Sequence, residues 1–269
     1  PLFTGSAGSG ESEIRRHLLE NDLVEAIVAL PTDMFFNTGI ATYVWILSNR
    51  KAPARQGTVQ LIDASGLGSK MRKSLGSKRK ELSPEQIQAI VQAFGSFQVL
   101  EQAVVLDANG KELDRIILFP DTPLPTAPEG GKVKRLPFSK ILHNEDFGFR
   151  VLTIERPTRD EKGNIVLGER GKQKGKPIPD SSLRDTETIP LHADWREYFE
   201  KEVKPHVPDA WVNEDKRDPK DGQVGIVGYE IPFNRHFYVY EPPRPLEEID
   251  RDLEQCFANI RQMMEELGI

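Results

Sequence analysis

The strongest constraint on this chain is a pair of apolar runs, residues 24–30 (VEAIVAL) and 41–47 (ATYVWIL), separated by the ten-residue loop PTDMFFNTGI. Both runs are rich in β-formers and too short for amphipathic helices, so each is predicted to be a strand. Their apolar character is nearly continuous, which implies a sheet covered on both faces by helices. The surrounding rhythm agrees with an α/β fold. Residues 13–20 form a predicted helix with Ile14, Leu18 and Leu19 on one side, introduced by Ser9 or Ser12 as possible caps. A third strand is expected at 59–62. A helix follows at 84–94, with Ser83 as N-cap, Pro84 in its first turn, and Ile87, Ile90, Val91 and Phe94 spaced for one buried face.

The segment 121–131, DTPLPTAPEGG, is rich in proline and glycine and lacks periodicity. It is taken as a linker between a region 1–120 and a region 132–269. In the second region a strand is expected at 150–157, a hairpin or an extended basic, glycine-rich loop at 161–180, and a short amphipathic helix at 195–203. The aromatic stretch 227–245 contains prolines that confine it to short or edge strands. The last element is a helix after Pro245, on which Ile249, Leu253, Phe257, Ile260, Met264 and Leu267 recur at spacings of three and four. That stripe demands a cover, either the chain's own core or a partner's helix.

Composition narrows the function classes. The single cysteine, Cys256, excludes a disulfide framework or a thiolate-rich metal site and is expected to be a small core residue. The five histidines, at 17, 143, 192, 206 and 236, never share a helix face, so no metal site is expected. No run reaches the roughly 20 apolar residues of a membrane span, and PLFTGSAGSG lacks the order of a signal peptide, so a cytoplasmic protein is expected. A start at proline implies processing or truncation. The net charge of −6 argues against a wholly basic surface, yet residues 69–80, SKMRKSLGSKRK, carry six basic residues and no acid. This segment is either a solvated loop or a phosphate-contacting stretch built on Lys70, Arg72, Lys73, Lys78, Arg79 and Lys80.

Two motifs imitate adenine-methyltransferase chemistry without its context. Phe3, Gly5, Gly8 and Gly10 mimic a glycine-rich cofactor loop but have no strand ahead of them. Glu241, Pro242, Pro243 and Arg244 mimic a double-proline motif but lack the preceding Asn or Asp and the following aromatic. The loop after the first strand is more informative. Phe35 and Phe36, beside Asn37, Thr38 and Gly39, leave a buried strand where ligands of α/β sheets bind. Phenylalanines filling the core are the alternative.

Taken together, GSGESEIRRHLLENDLVEAIVALPTDMFFNTGIATYVWILSNRK, MRKSLGSKRKELS, FGFRVLTIERP, GKQKGKPIPDSSLRDTE and VGYEIPFNRHFYVYEPPRPLEEID resemble the modification subunit of type I restriction-modification systems. Only residues 98–130 fall outside the likeness. The resemblance implies the last strands of a Rossmann-like, S-adenosylmethionine-dependent methyltransferase sheet at 1–120, followed by a mixed α+β region for subunit assembly that ends in a long helix. It implies transfer of a methyl group to N6 of adenine by the full-length subunit. It also implies that the cofactor loop and the Asn-Pro-Pro-aromatic motif lie upstream of Pro1, so this chain alone is expected neither to bind S-adenosylmethionine nor to hold a catalytic residue.

By the same resemblance Phe35, Phe36, Asn37 and Thr38 lie beside a flipped target base, and the basic segment faces double-stranded DNA. Tyr229, Phe233, Phe237, Tyr238, Ile249, Leu253, Phe257, Ile260 and Met264 would dock on a specificity subunit. A second modification subunit and a restriction (motor-nuclease) subunit complete the implied partners. The alternative is a non-catalytic module that keeps only the docking and DNA-facing surfaces.

Overall fold

The chain is described from a computed structural model over residues 3–171, 174–240 and 242–266, as two units that meet between Phe237 and Tyr238. In chain order the elements of the first unit begin with α1 (Gly10–Glu20), β1 (Val24–Leu30), β2 (Thr42–Leu47) and β3 (Thr58–Asp63). Then come β4 (Ser69–Leu75), β5 (Lys78–Glu81), α2 (Pro84–Ser96), β6 (Leu100–Leu106), β7 (Glu112–Leu118) and β8 (Lys132–His143). The remainder comprises β9 (Gly148–Glu155), β10 (Asp185–Pro190), α3 (Trp195–Tyr198), β11 (Trp211–Val212), β12 (Ile226–Tyr229) and α4 (Phe233–Phe237).

A six-stranded mixed sheet in the order β2-β1-β3-β8-β6-β7 forms the centre, and β1 and β3 are its parallel pair. β1 is buried on both faces, as its continuous apolar run requires. Ile27 and Ala29 join Leu19, Val59, Leu61 and Phe147 in one core, while Val28 joins Ile62, Ala93, Leu100 and Phe138 in the other. β2 departs from the expectation. It is an edge strand, and its Val44 and Leu47 are exposed because the covering helices sit over the central strands. The segment 121–131 is not a boundary either. It joins β7 to β8, and β8 lies between β3 and β6, so one sheet continues across it.

The helices are capped where the sequence places the caps, but their buried faces differ from the expected ones. Ser9 caps α1, and α2 has a full capping box between Ser83 and Gln86. On α1 the buried face is Ser12, Arg15, Arg16 and Leu19, and Ile14 is exposed. This face is polar because it meets the backbone of β12 and the turn before it. Ser12 Oγ accepts from Tyr229 N, Arg15 Nε donates to Tyr229 O, and Arg16 grips the Asp218 carboxylate. On α2 the deepest residue is Ala93, and Ile87 and Val91 are exposed.

A second sheet has β9 at its centre, paired with β10 on one side and with β11 and β12 on the other. Its core is Leu152, Ile154, Ile189, Phe199, Val212 and Val224. The helix expected at 195–203 begins as α3 and continues as a wider π turn over Phe199–Val203. The aromatic stretch is only partly strand. After β12, Pro232 starts the short helix α4, a position where its missing N–H costs nothing. The second unit contains α5 (Leu246–Glu266), on which Leu253, Phe257, Ile260 and Met264 are exposed. Cys256, expected in a core, is exposed on the same helix. Leu267, the last residue of the predicted stripe, lies outside the described residues.

Candidate nucleic-acid interface

The parallel pair β1 and β3 ends on one side of the sheet, at Leu30 and Asp63, and two excursions leave from there. From β1 comes the aromatic loop. Asp33 adopts a left-handed conformation (φ 59°), and a bridge between Phe35 and Thr38 closes a tight turn with Phe36 and Asn37 at its tip. A Cβ on Gly39 would stand 2.9 Å from Asp33 Oδ1, so a larger residue there would turn the Asp33 side chain aside. From β3 comes the basic segment, which is a two-stranded ribbon of β4 and β5 rather than the loop that composition suggests. Leu75 pairs with Lys78 across Gly76 and Ser77, and Gly76 takes the positive φ (61°) that such hairpins need.

The two excursions are hydrogen-bonded into one surface. Ser77 N donates to Phe36 O at 3.1 Å, while Arg79 N and Lys80 N both donate to Asp33 O, at 2.8 and 3.1 Å. A Cβ on Gly76 would lie 2.9 Å from Phe36 O, so the approach of the ribbon to the loop depends on glycine. The Lys78 ammonium stands over the Phe36 ring, 5.6 Å from its centroid. Despite these contacts Phe36 remains 64% exposed and Phe35 42%. The core-filling alternative for these rings is therefore excluded.

Charge on this surface is predominantly basic, with Asp33 in the loop and Glu81 at the end of the ribbon as its acids. Among the described residues none of Lys70, Arg72, Lys73, Lys78, Arg79 and Lys80 is ion-paired with a carboxylate. Several cations elsewhere on the chain are instead neutralised at short range, as for Arg16 with Asp218 at 2.9 Å or Lys51 with Asp22 at 2.5 Å. Uncompensated cations beside exposed aromatic faces can neutralise phosphates and stack on bases. Asp33, Gly76 and Ser77, which join the loop to the ribbon, are residues that sequence reasoning missed. The Leu-Gly-Ser-Lys step at 75–78 was the available hairpin signal.

At the glycine-rich start a Cβ on Gly10 would meet nothing within 4 Å, while Gly5 and Gly8 are closer to their neighbours. A Cβ on Gly5 would meet Ser9 Oγ at 3.1 Å and Arg15 Nη2 at 3.2 Å, and one on Gly8 would meet Ile226 Cγ2 at 3.3 Å. Among the described residues no group of three or more His, Cys, Asp or Glu side chains is placed to hold a metal ion. None of the helices among them is long and apolar enough to cross a membrane. Glu241 of the double-proline decoy lies outside the described residues.

The residues assigned to partner docking divide. Tyr229 and Phe233 are core residues, each 4% exposed, and are withdrawn from any docking surface. Burial, followed by the nearby Glu20, pushes the Tyr229 phenol up to about 12. Phe237 stacks on Phe233 at 4.9 Å and packs against the same core. Tyr238, Leu253, Phe257, Ile260 and Met264 are exposed, and Ile249 is half-buried.

Comparison with known proteins gives one consistent answer for the region that carries this interface. The N-6 DNA Methylase family profile matches residues 2–114. The methylase subunit of the type I restriction enzyme MjaIX of Methanocaldococcus jannaschii is 36% identical over 93 residues, which cover 35% of this chain and 16% of that protein. The methylase subunit of the type I restriction enzyme HindI of Haemophilus influenzae is 43% identical over 70 residues, covering 25% and 15% respectively. Among solved structures, the methyltransferase subunit of the type I restriction-modification system of Streptococcus thermophilus aligns at 31% identity over 36% of this chain and 18% of that chain, with a TM-score of 0.31. The chain thus spans about one-sixth of the length of these curated relatives. Residues 2–114 are thus similar to the N-6 DNA methylase family, and the relatives matched there are methylase subunits of type I restriction enzymes.

Proposed function

We propose that this chain supplies the DNA-facing part of a type I restriction-modification methylase, which transfers a methyl group from S-adenosylmethionine to N6 of adenine in duplex DNA. The observation that carries this reading is the hydrogen-bonded union of the aromatic loop with the basic ribbon, at the strand ends where α/β folds bind ligands. Phe35 and Phe36 stack on the base drawn out of the helix, with Asn37 and Thr38 at the same turn. Lys70, Arg72, Lys73, Lys78, Arg79 and Lys80 hold the phosphates beside it. β1 to β3 belong to the last strands of the Rossmann-like catalytic sheet.

The chain alone neither binds the cofactor nor methylates DNA. Gly5 and Gly8 are crowded by Ser9, Arg15 and Ile226, and the sequence has no Asn-Pro-Pro-aromatic motif. The exposed stripe of α5, with Tyr238, docks on the specificity subunit, in a complex with a second modification subunit and the motor-nuclease subunit.

The test uses the complete methylase bearing these residues. Phe36→Ala removes a stacking face worth about 1–3 kcal/mol, so methyl transfer to a cognate duplex is expected to fall by about tenfold or more, with duplex affinity changed less. Transfer at the parental rate would refute the base-side role. Micromolar binding of S-adenosylmethionine to this chain, measured by calorimetry, would refute the cofactor reading.

A further inference from the structure

Between β9 and β10 the chain builds an arm, residues 156–180, that plays no part in the interface above. It makes short extended passes joined by bridges Pro157–Pro179, Arg159–Ile165, Leu167–Pro177 and Gly168–Lys174. Main-chain hydrogen bonds tie the passes together, including Thr158 N to Ile178 O, Val166 N to Thr158 O and Gly168 N to Lys176 O. Glycines 163, 171 and 175 turn the chain at positive φ, which larger side chains would resist.

Charges on the arm are sorted by position. At the root Arg156 and Arg159 both bind the Asp209 carboxylate, at 3.1 and 2.9 Å. Two of the arm's four acids are likewise turned to local work. Asp160 accepts from Lys162 N and Asn164 N, and Asp180 accepts from Ser182 N and Oγ. The far end, residues 168–176 (GERGKQKGK), has four basic residues against the single acid Glu169. Arg170, Lys174 and Lys176 are exposed, and among the described residues none of them is ion-paired. In a chain with a net charge of −6, three uncompensated cations within seven residues, on a support tied by main-chain hydrogen bonds, form a surface that selects a polyanion.

We propose that the tip of this arm, through Arg170, Lys174 and Lys176, is a second contact for the phosphate backbone of duplex DNA, distinct from the loop and ribbon. A glycine-turned support lets the cations follow regularly spaced phosphates, and counterion release rewards each one neutralised. The arm reads no bases, and its role does not depend on base stacking by Phe36.

The test is the salt dependence of binding of the whole chain to a fluorescein-labelled 30-base-pair duplex, followed by anisotropy between 50 and 200 mM NaCl. Each phosphate contact contributes about 0.9 to the slope of log K against log salt. Arg170→Gln/Lys174→Gln/Lys176→Gln should lower that slope by about 2 to 3 and weaken binding at 50 mM by about tenfold or more. Arg170→Lys/Lys174→Arg/Lys176→Arg should keep the parental slope, and Lys174→Gln alone should remove about one contact. An unchanged slope in the triple glutamine variant overturns the proposal, as does an absence of measurable duplex binding by the parent chain at 50 mM. Tighter binding of a polyglutamate peptide than of the duplex, lost in the same variant, also overturns it and assigns the tip to an acidic protein.

Discussion

Replacing Asp218 with alanine should be among the most destabilising changes in the first unit, because it takes the buried carboxylate from Arg16, leaving it only Glu20 at 2.8 Å and Glu13 at 3.8 Å, and empties a hydrogen-bonded turn together. Arg16 and Asp218 have side chains only 4% and 1% exposed, and Arg16 Nη1 reaches both carboxylate oxygens, at 2.9 and 3.0 Å. Asp218 also accepts from the amides of Lys220, Asp221 and Val227 at 3.0, 3.1 and 3.0 Å. Removing one partner of an isolated buried pair costs about 3–5 kcal/mol; the remaining Glu20 contact keeps the Arg16 share at the low end of that range, and each amide left unsatisfied adds to it. At about 2–4 °C per kcal/mol for a unit of this size, Tm should fall by about 10 °C or more. Arg16→Met should cost less, because the three amides keep their acceptor.

The pH dependence supplies a second readout of the same pair. Burial presses the Asp218 carboxyl upward, but the amides of Val227, Asp221 and Lys220 and the Arg16 guanidinium outweigh it and hold the group below the ordinary carboxylate range. A carboxyl held low in the folded state contributes stability that is complete above its unfolded value, about 3.9, and is lost as pH falls through the folded value. The gap between parent and Asp218→Asn in urea-unfolding free energy should therefore narrow as pH is lowered from about 5 to 3. An Asp218→Ala loss below about 1 kcal/mol at pH 7, or a gap that widens in acid, would show that the pair does not anchor α1.

Two further predictions concern surfaces. Gly76→Ala sets a Cβ against Phe36 O in a left-handed conformation, so the ribbon should part from the loop. Hydrogen exchange at Ser77 N should accelerate at least about tenfold with little change in Tm, since about 1–2 kcal/mol of strain falls on a local contact; parental protection would refute that contact. On α5, Leu253→Asp or Ile260→Asp should abolish co-purification with the specificity subunit while helicity persists, and unchanged complex formation would remove the helix from the docking surface.

How much of this was legible in the sequence depends on whether local pattern or distant pairing decides each feature. Continuous apolar runs and cap residues are local signals, and β1, α1, α2 and α5 lie where those signals put them. β6, β7 and β8 are set by pairing across the sheet, and the proline-rich connection at 121–131 conceals that β8 returns to its middle. The same limit explains α1. Ile14 and Leu18 suggested an apolar stripe, but the partners of Ser12, Arg15 and Arg16 come from residues more than 200 positions away. The loop and the ribbon were each visible as composition. Their union was not, because it rests on main-chain bonds from Ser77, Arg79 and Lys80 to Phe36 and Asp33.

The account stands on that union being a single DNA-facing surface, and a hydrogen-exchange footprint of the chain with and without a 30-base-pair duplex tests it most directly. Residues 33–38 and 69–81 should gain protection together, at the same duplex concentration. Protection of one segment without the other, or of neither while the chain binds DNA elsewhere, would contradict it.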